Sequence, residues 1–247
     1  MELQKHAVIL MSHFFTEDIY KKYKRLVKEL NHERYDIFLL INNDKKDIVD
    51  YIPDNIKCVV YNADDLNSLG YTPIFGTLLP GSCHFPILRF YSDHPMYPFY
   101  WFIEYDVEFT ASWSVLFEEY QNENADYIVP YLAKHNNLKN ISWQWWNVCN
   151  NSGFALDESI RAFHPICRYS ISALEYIDKY QRLGYSAHSE LIIPTCLSHA
   201  GFTLKTFHDK FFIHHKGFNS FRYRPLFSHD EFLKRKEYAK LFHPVKE

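Results

Sequence analysis

The chain has 247 residues, 47% of them hydrophobic and 18% aromatic, enough for a packed globular core. A formal net charge of −3 leaves no basic excess to draw nucleic acid or an anionic bilayer. Seven glycines, with neither GxGxxG nor GxxxxGK(S/T), exclude the common dinucleotide-loop and P-loop readings.

Five cysteines, Cys58, Cys83, Cys149, Cys167 and Cys196, are widely spaced and form no CxxC pair. They fit free thiols in a reducing compartment better than a disulfide frame or a zinc site. The first apolar run, HAVILM, falls short of a signal core or a membrane span. The expectation is a cytoplasmic protein, with room for peripheral contact at the inner face of a membrane.

Residues 6–12 read as a buried strand. Thr16 is an N-cap residue, and Ile19, Tyr23, Leu26, Val27 and Leu30 then recur with helical spacing to residue 30. Residues 35–41 and 57–61 are second and third buried strands, so the opening reads β-α-β-x-β, the pattern of a parallel α/β sheet. Residues 66–99 carry Pro73, Pro80, Pro86, Pro95 and Pro98, with a short helix expected over 87–91.

The central strand then runs Tyr100-Trp101-Phe102-Ile103 and ends in Glu104-Tyr105-Asp106. Beyond it the pattern predicts a helix over 114–121, a strand over 127–131 and an Asn- and Trp-rich loop over 133–155. Helices are expected over 167–180 and 191–199, closing strands over 203–207 and 211–214, and an amphipathic helix over 230–241. No linker or repeat interrupts this, so one domain with two halves, 1–110 and 111–247, is expected.

The acidic pair carries the most chemistry. Carboxylates at the end of an apolar strand are costly to bury unless something binds them, and a divalent cation does so readily. Parallel strands also deliver their carboxyl ends to one rim, where open α/β sheets bind ligands. The polar groups after the first three strands, Ser12 and His13, Asp44, and Asp65, belong to that rim.

This order of elements resembles the GT-A-fold glycosyltransferases, which use nucleotide-sugar donors. Glu104-Tyr105-Asp106 is an ExD variant of their DxD motif. The chain is also similar to poorly characterised bacterial and fungal proteins with the EYDV (104–107), PICR-like (165–168) and HSE (188–190) segments. The resemblance covers residues 6 to about 221. It implies one GT-A-like, Rossmann-like α/β domain with a central, mostly parallel sheet flanked by helices. It also implies Mn²⁺ or Mg²⁺ held by Asp106, with a histidine near the carboxyl end, His214 or His215, completing the site. Glu104 would reach the ribose, or the metal through water.

The donor would meet Ser12, His13, Asp44, Asp65, Arg89 and Lys216. Glu190 would be the general base of an inverting transfer to a saccharide or glycolipid acceptor. Trp143, Trp145 and Trp146 offer rings on which sugar faces stack.

Each residue has a plainer alternative. Glu190 also suits a helix cap, the aspartates turn chemistry, Arg89 a salt bridge and the tryptophans a core. The basic residues Lys205, Lys210, Lys216, Arg222 and Arg224 suit phosphate, anionic head groups or a solvated surface. Two rival functions remain open. A nucleotide-sugar pyrophosphorylase-like nucleotidyltransferase would carry a Gly-rich segment where this chain has HFFTED. A non-catalytic carbohydrate-binding protein would use the tryptophan loop alone.

Overall fold

The computed structural model describes residues 4–44, 52–76, 78, 81–137 and 142–246; Pro80 and residues 138–141 of the Asn- and Trp-rich loop lie outside them. The elements are β1 (His6–Ser12), α1 (Glu17–Glu29), β2 (Tyr35–Asn42), β3 (Cys58–Tyr61), α2 (Ala63–Asn67), α3 (Phe85–Asp93), β4 (Phe99–Glu104), β5 (Glu108–Phe109), α4 (Trp113–Glu119), β6 (Tyr127–Val129) and β7 (Tyr131–Lys134). They continue with β8 (Ile160–Phe163), β9 (Ile166–Ser170), α5 (Ile171–Arg182), α6 (Ser189–His199), β10 (Leu204–Thr206), β11 (His214–His215), β12 (Phe218–Asn219), β13 (Phe227–Ser228), α7 (His229–Leu233), β14 (Leu241–Phe242) and β15 (Val245–Lys246).

Seven strands form the main sheet in the order β10-β6-β9-β4-β1-β2-β3. It is parallel except for β9, which runs antiparallel to both β4 and β6. Strand period two sends alternate residues to opposite faces. Ala7, Ile9, Phe38, Leu40, Tyr100 and Phe102 pack under α2, α3, α5 and α6. Val8, Leu10, Ile37, Leu39, Trp101 and Ile103 pack against α1 and α4. With both faces covered, the central strands are apolar throughout, which is why they read as continuous runs.

The first helix follows its sequence signal. Thr16 accepts the amide of Ile19 at 3.4 Å, and Ile19, Tyr23 and Leu26 turn inward. Among the described residues no helix is long and apolar enough to cross a membrane.

Two expected helices differ. Residues 166–170 form strand β9, and the helix starts only at Ile171, where the Ser170 hydroxyl accepts the amide of Ala173 at 3.1 Å. A strand buried on both faces has neither a helical nor an alternating apolar pattern, so its beginning is hidden. In the tail, the helix is only His229–Leu233, opened by a Ser228–Glu231 capping box. Leu241 and Phe242 then pair with β5, because their side chains are fully buried there. Likewise 211–214 yields only β11, a two-residue strand after a single helical turn at Asp209–Phe211.

Arg168 lies on β9 with no solvent exposure. Its guanidinium donates to the carbonyls of Tyr120 (3.1 Å) and Ala125 (2.9 Å) and sits 4.2 Å from the Phe99 ring. Burial pulls its pKa down to about 10. Arg168→Ala strands two buried carbonyls and opens a cavity, so unfolding stability should fall by about 3–5 kcal/mol. Urea denaturation measures this; a loss below about 1 kcal/mol would show that the carbonyls find water instead.

Candidate active site

The acidic strand ends in a turn that gathers its carboxylates. The Tyr105 amide donates to the Met11 carbonyl at 3.0 Å, and the Val107 amide returns to the Glu104 carbonyl at 3.0 Å. Glu104 and Asp106 therefore stand together at the carboxyl ends of β1 and β4. Strand β14 pairs antiparallel with β5, Leu241 opposite Phe109 and Phe242 opposite Glu108. The next residue, His243, is thereby carried over the acidic turn.

Its Nε2 lies 3.5 Å from Asp106 Oδ1 and 3.8 Å from Glu104 Oε2. One ligand atom from each of the three residues lies within 4.8 Å of the others, the one such group of three among the described residues.

Asp106 is only 4% exposed, and its Oδ1 is buried without a hydrogen-bond partner. Its Oδ2 lies 3.1 Å from Lys246 Nζ. Burial by itself would raise its pKa, but His243 and Lys246 together hold it below the usual carboxylate value. Burial likewise opposes charge on His243, yet Asp106 and then Glu104 outweigh it and lift the imidazole to about 9.

The other ring nitrogen, Nδ1, donates to the Arg222 carbonyl at 2.9 Å. That bond fixes the ring orientation and leaves Nε2 facing the acids. Two carboxylates, one imidazole and an unpartnered buried oxygen fit a divalent cation such as Mn²⁺ or Mg²⁺.

Glu190 sits across the turn between β8 and β9. The Glu104 amide donates to the Pro165 carbonyl at 2.8 Å. On the other side of the turn, the His164 amide faces the Glu190 carboxyl. Glu190 is in the first turn of α6 but does not cap it; His188 does, accepting the Glu190 amide on Nδ1 at 3.2 Å. The Glu190 side chain instead accepts the hydroxyl of Tyr223.

Only 5% of Glu190 is exposed, and burial pushes its pKa up to about 8. The charge of Glu104 adds to this, while Tyr223, Arg161 and the His164 amide pull the other way. The Phe163 ring spans the two acids' surroundings, 4.2 Å from Tyr223 and 5.3 Å from His243.

The tryptophans meet this carboxyl through His188. Trp145 stacks on its ring at 4.4 Å, and Trp143 meets it edge-on at 5.7 Å. Trp143 also lies 4.7 Å from the Arg161 guanidinium. Trp146 is buried in the core beneath, edge-on to Trp143 at 4.8 Å. His188 is mostly buried, and burial holds it near 4, hence neutral. Gly81 permits its approach: at φ +108, a Cβ there would meet Ile74 at 2.7 Å and His188 at 3.3 Å.

The remaining sequence-selected residues are more dispersed. Ser12 is buried and folds back on Phe14, donating to its carbonyl at 2.7 Å; His13 lies edge-on to Tyr105 at 5.1 Å. Asp44 accepts the Ala63 amide at 2.7 Å, and Asp65 completes a capping box with Asn62 at the start of α2. Arg89 pairs with Asp93 on its own helix at 3.2 Å.

His214, His215 and Lys216 are exposed in the β11–β12 hairpin, and the structure brings His243, not His214 or His215, to the carboxylates. The physical reason is the β14–β5 pairing, which threads the later segment over the acidic turn. His243, Lys246, Tyr223 and Arg161 escaped the sequence reading. The first two lie just past a tail read as helix, and the other two carry no spacing signal.

No protein-family model matches the chain, and no curated protein matches it by sequence. Solved structures give distant likenesses. A 4-diphosphocytidyl-2C-methyl-D-erythritol synthase from Anaerococcus prevotii has 9% identity and a TM-score of 0.48, over 83% of this chain and 87% of that one. The galactosyltransferase LgtC, in complex with donor and acceptor sugar analogues, has 9% identity and a TM-score of 0.44, over 92% and 77%. Mouse xyloside xylosyltransferase 1, in its apo form, has 11% identity and a TM-score of 0.43, over 96% and 97%.

The raised pKa of Glu190 has a consequence for stability. In the unfolded chain it ionises near 4.5, in the folded chain near 8. Between these values the unfolded state alone gives up the proton, so this group's contribution to stability is lost as pH rises from about 4.5 to about 8. Wild type should therefore lose stability relative to Glu190→Gln across that window, by a few kcal/mol at most, with no further change above it. Melting temperatures of both proteins between pH 4 and 9, read as a difference, test this; parallel curves would contradict it.

Proposed function

We propose that this chain is a divalent-metal-dependent, GT-A-like glycosyltransferase. It would transfer a sugar from a nucleotide-sugar donor to a saccharide or glycolipid acceptor. One observation carries the reading: Glu104, Asp106 and His243 converge at the carboxyl rim of a mostly parallel sheet, one turn of chain away from the buried carboxyl of Glu190. That is a place to hold a donor diphosphate beside a group able to take a proton.

Glu104, Asp106 and His243 would hold Mn²⁺ or Mg²⁺, which as a Lewis acid neutralises the charge developing on a departing nucleoside diphosphate. Lys246, at Asp106, and Lys216, on the exposed hairpin, are the cations assigned to phosphate. The loops carrying Ser12, His13, Asp44 and Asp65 would flank the nucleoside. The side chains of Asp44 and Asp65 already satisfy amides near the start of α2, so their role is to fix the shape of that wall. Arg89, tied to Asp93, would steady the helix that feeds the acidic strand.

Trp143 and Trp145 are assigned to the acceptor sugar, with Trp146 as their support. Glu190 would accept the proton of the attacking hydroxyl. A carboxyl with a pKa of about 8 is a stronger base than an exposed one, and it operates near neutral pH.

Two measurements test this. Asp106→Asn and His243→Ala should each weaken Mn²⁺-dependent nucleoside diphosphate binding by about tenfold or more, while His214→Ala and His215→Ala leave it unchanged. Titration calorimetry with and without Mn²⁺ decides; binding that ignores the metal in wild type would sink the reading. Glu190→Gln should lower turnover by about 10²-fold or more with little change in donor affinity, and should remove an acidic limb from the pH profile. The anomeric configuration of the first product, followed by NMR, should be inverted relative to the donor; retention would reassign Glu190.

A further inference from the structure

A cavity of about 370 Å³ opens beside Tyr223, the partner of Glu190. Its walls include Tyr131, Arg161, Phe163, His214 and Tyr223. The β7–β8 ribbon explains the grouping. Tyr131 faces Phe163 and Ala133 faces Arg161 across it, so Tyr131, Phe163 and Arg161 share one side. The opposite side, Ile160 and Ala162, is buried, with Ala162 in the core that also contains α6.

Arg161 takes part in none of the ion pairs among the described residues. Rings hold it instead: its guanidinium lies 4.7 Å from Trp143, 5.6 Å from Tyr223, whose hydroxyl it also faces, and 5.8 Å from Tyr131. Its Nε is buried with no hydrogen-bond partner. A guanidinium stacked between rings is fixed in orientation, yet its fork of donors remains incompletely used. The one carboxylate among the cavity's lining residues is Asp209.

An aromatic wall suits a sugar ring, and a pre-oriented guanidinium suits an oxyanion, which it binds with two parallel hydrogen bonds. We propose that this cavity receives an anionic group on the acceptor, a phosphate ester or a uronate carboxylate, bound by Arg161. The inference rests on the transferase reading for the word acceptor, but the oxyanion site itself does not. It also has a consequence for the base: an anion paired with Arg161 cancels a charge that now pulls the pKa of Glu190 down.

The test is direct binding of glucose, glucose 1-phosphate and glucuronate, without donor, to wild type, Arg161→Met and Arg161→Lys. Wild type should bind at least one charged sugar about tenfold or more tighter than glucose. Arg161→Met should abolish that preference while keeping the melting temperature and the weak glucose affinity; Arg161→Lys should retain only part of it.

Preference for glucose 1-phosphate alone identifies a phosphate, and for glucuronate alone a carboxylate. Equal affinities in wild type, or a preference that survives Arg161→Met, overturn the proposal. Should Arg161→Met not fold, the ¹⁵N resonance of Arg161 Nε in wild type takes its place: charged sugars must shift it and glucose must not. Mn²⁺-dependent nucleoside diphosphate binding, measured on the same samples, reports the transferase reading separately.

Discussion

The pairing of β14 with β5 holds the site together from behind. Two residues, Leu241 and Phe242, lie against Phe109 and Glu108 and are fully buried. The chain that leaves them has little freedom, and three contacts follow. His243 reaches the acidic turn; the Val245 amide donates to the Asp106 carbonyl at 2.8 Å; Lys246 reaches Asp106 and the Tyr105 hydroxyl. The same segment pairs with residues 220–222, since the His243 amide donates to the Ser220 carbonyl and the Arg222 amide to the His243 carbonyl. Tyr223, one residue on, is thus held where it meets Glu190. One short ribbon fixes both His243 over the acidic turn and Tyr223, the partner of the carboxyl across it.

Two carboxyls in one site are driven apart by their surroundings. Both are more than nine-tenths buried. Asp106 has two cations at contact distance and stays ionised; Glu190 has the Tyr223 hydroxyl, the His164 amide and a more distant arginine and takes up a proton more readily. Burial acts on both in the same direction, so it is the neighbouring cations that decide. Under the proposed function the split fits a division of labour, with the more acidic carboxyl as the ligand and the less acidic one as the base.

The parallel sheet was legible in the sequence because its strands are apolar throughout and are separated by one strongly amphipathic helix. The acidic rim was legible because charge at the end of such a strand is unusual. Glu190 stood out for its place at the start of an apolar helix, although its side chain looks across to the C-terminal segment rather than serving as a cap. His243 was not legible. It lies 139 residues beyond Glu104, on a connection made by two-residue strands, too short for any periodicity to register. Tyr223 and Arg161 were hidden for the same reason: their meaning comes from a long-range fold-back, and nothing in FRYRP or SIRAF announces it.

The histidines beneath α6 complete the electrostatic design. His84, His164 and His188 are all buried, and burial holds them near 3, 3 and 4. They are therefore neutral at neutral pH. His164 joins the Tyr127 hydroxyl at 2.9 Å to the Ser189 hydroxyl at 3.2 Å, and His188 accepts the amide of Glu190. Charged side chains in place of His164 and His188 would also anchor the helix, but each would bring a cation close to Glu190 and draw its pKa back down. As neutral imidazoles, His164 and His188 supply their hydrogen bonds without that cost. The close cations thus lie on one side of the β8–β9 turn, at Asp106, while Arg161 and uncharged rings lie on the other. That asymmetry allows a carboxyl to titrate near 8 only one turn of chain away from a carboxyl that stays ionised.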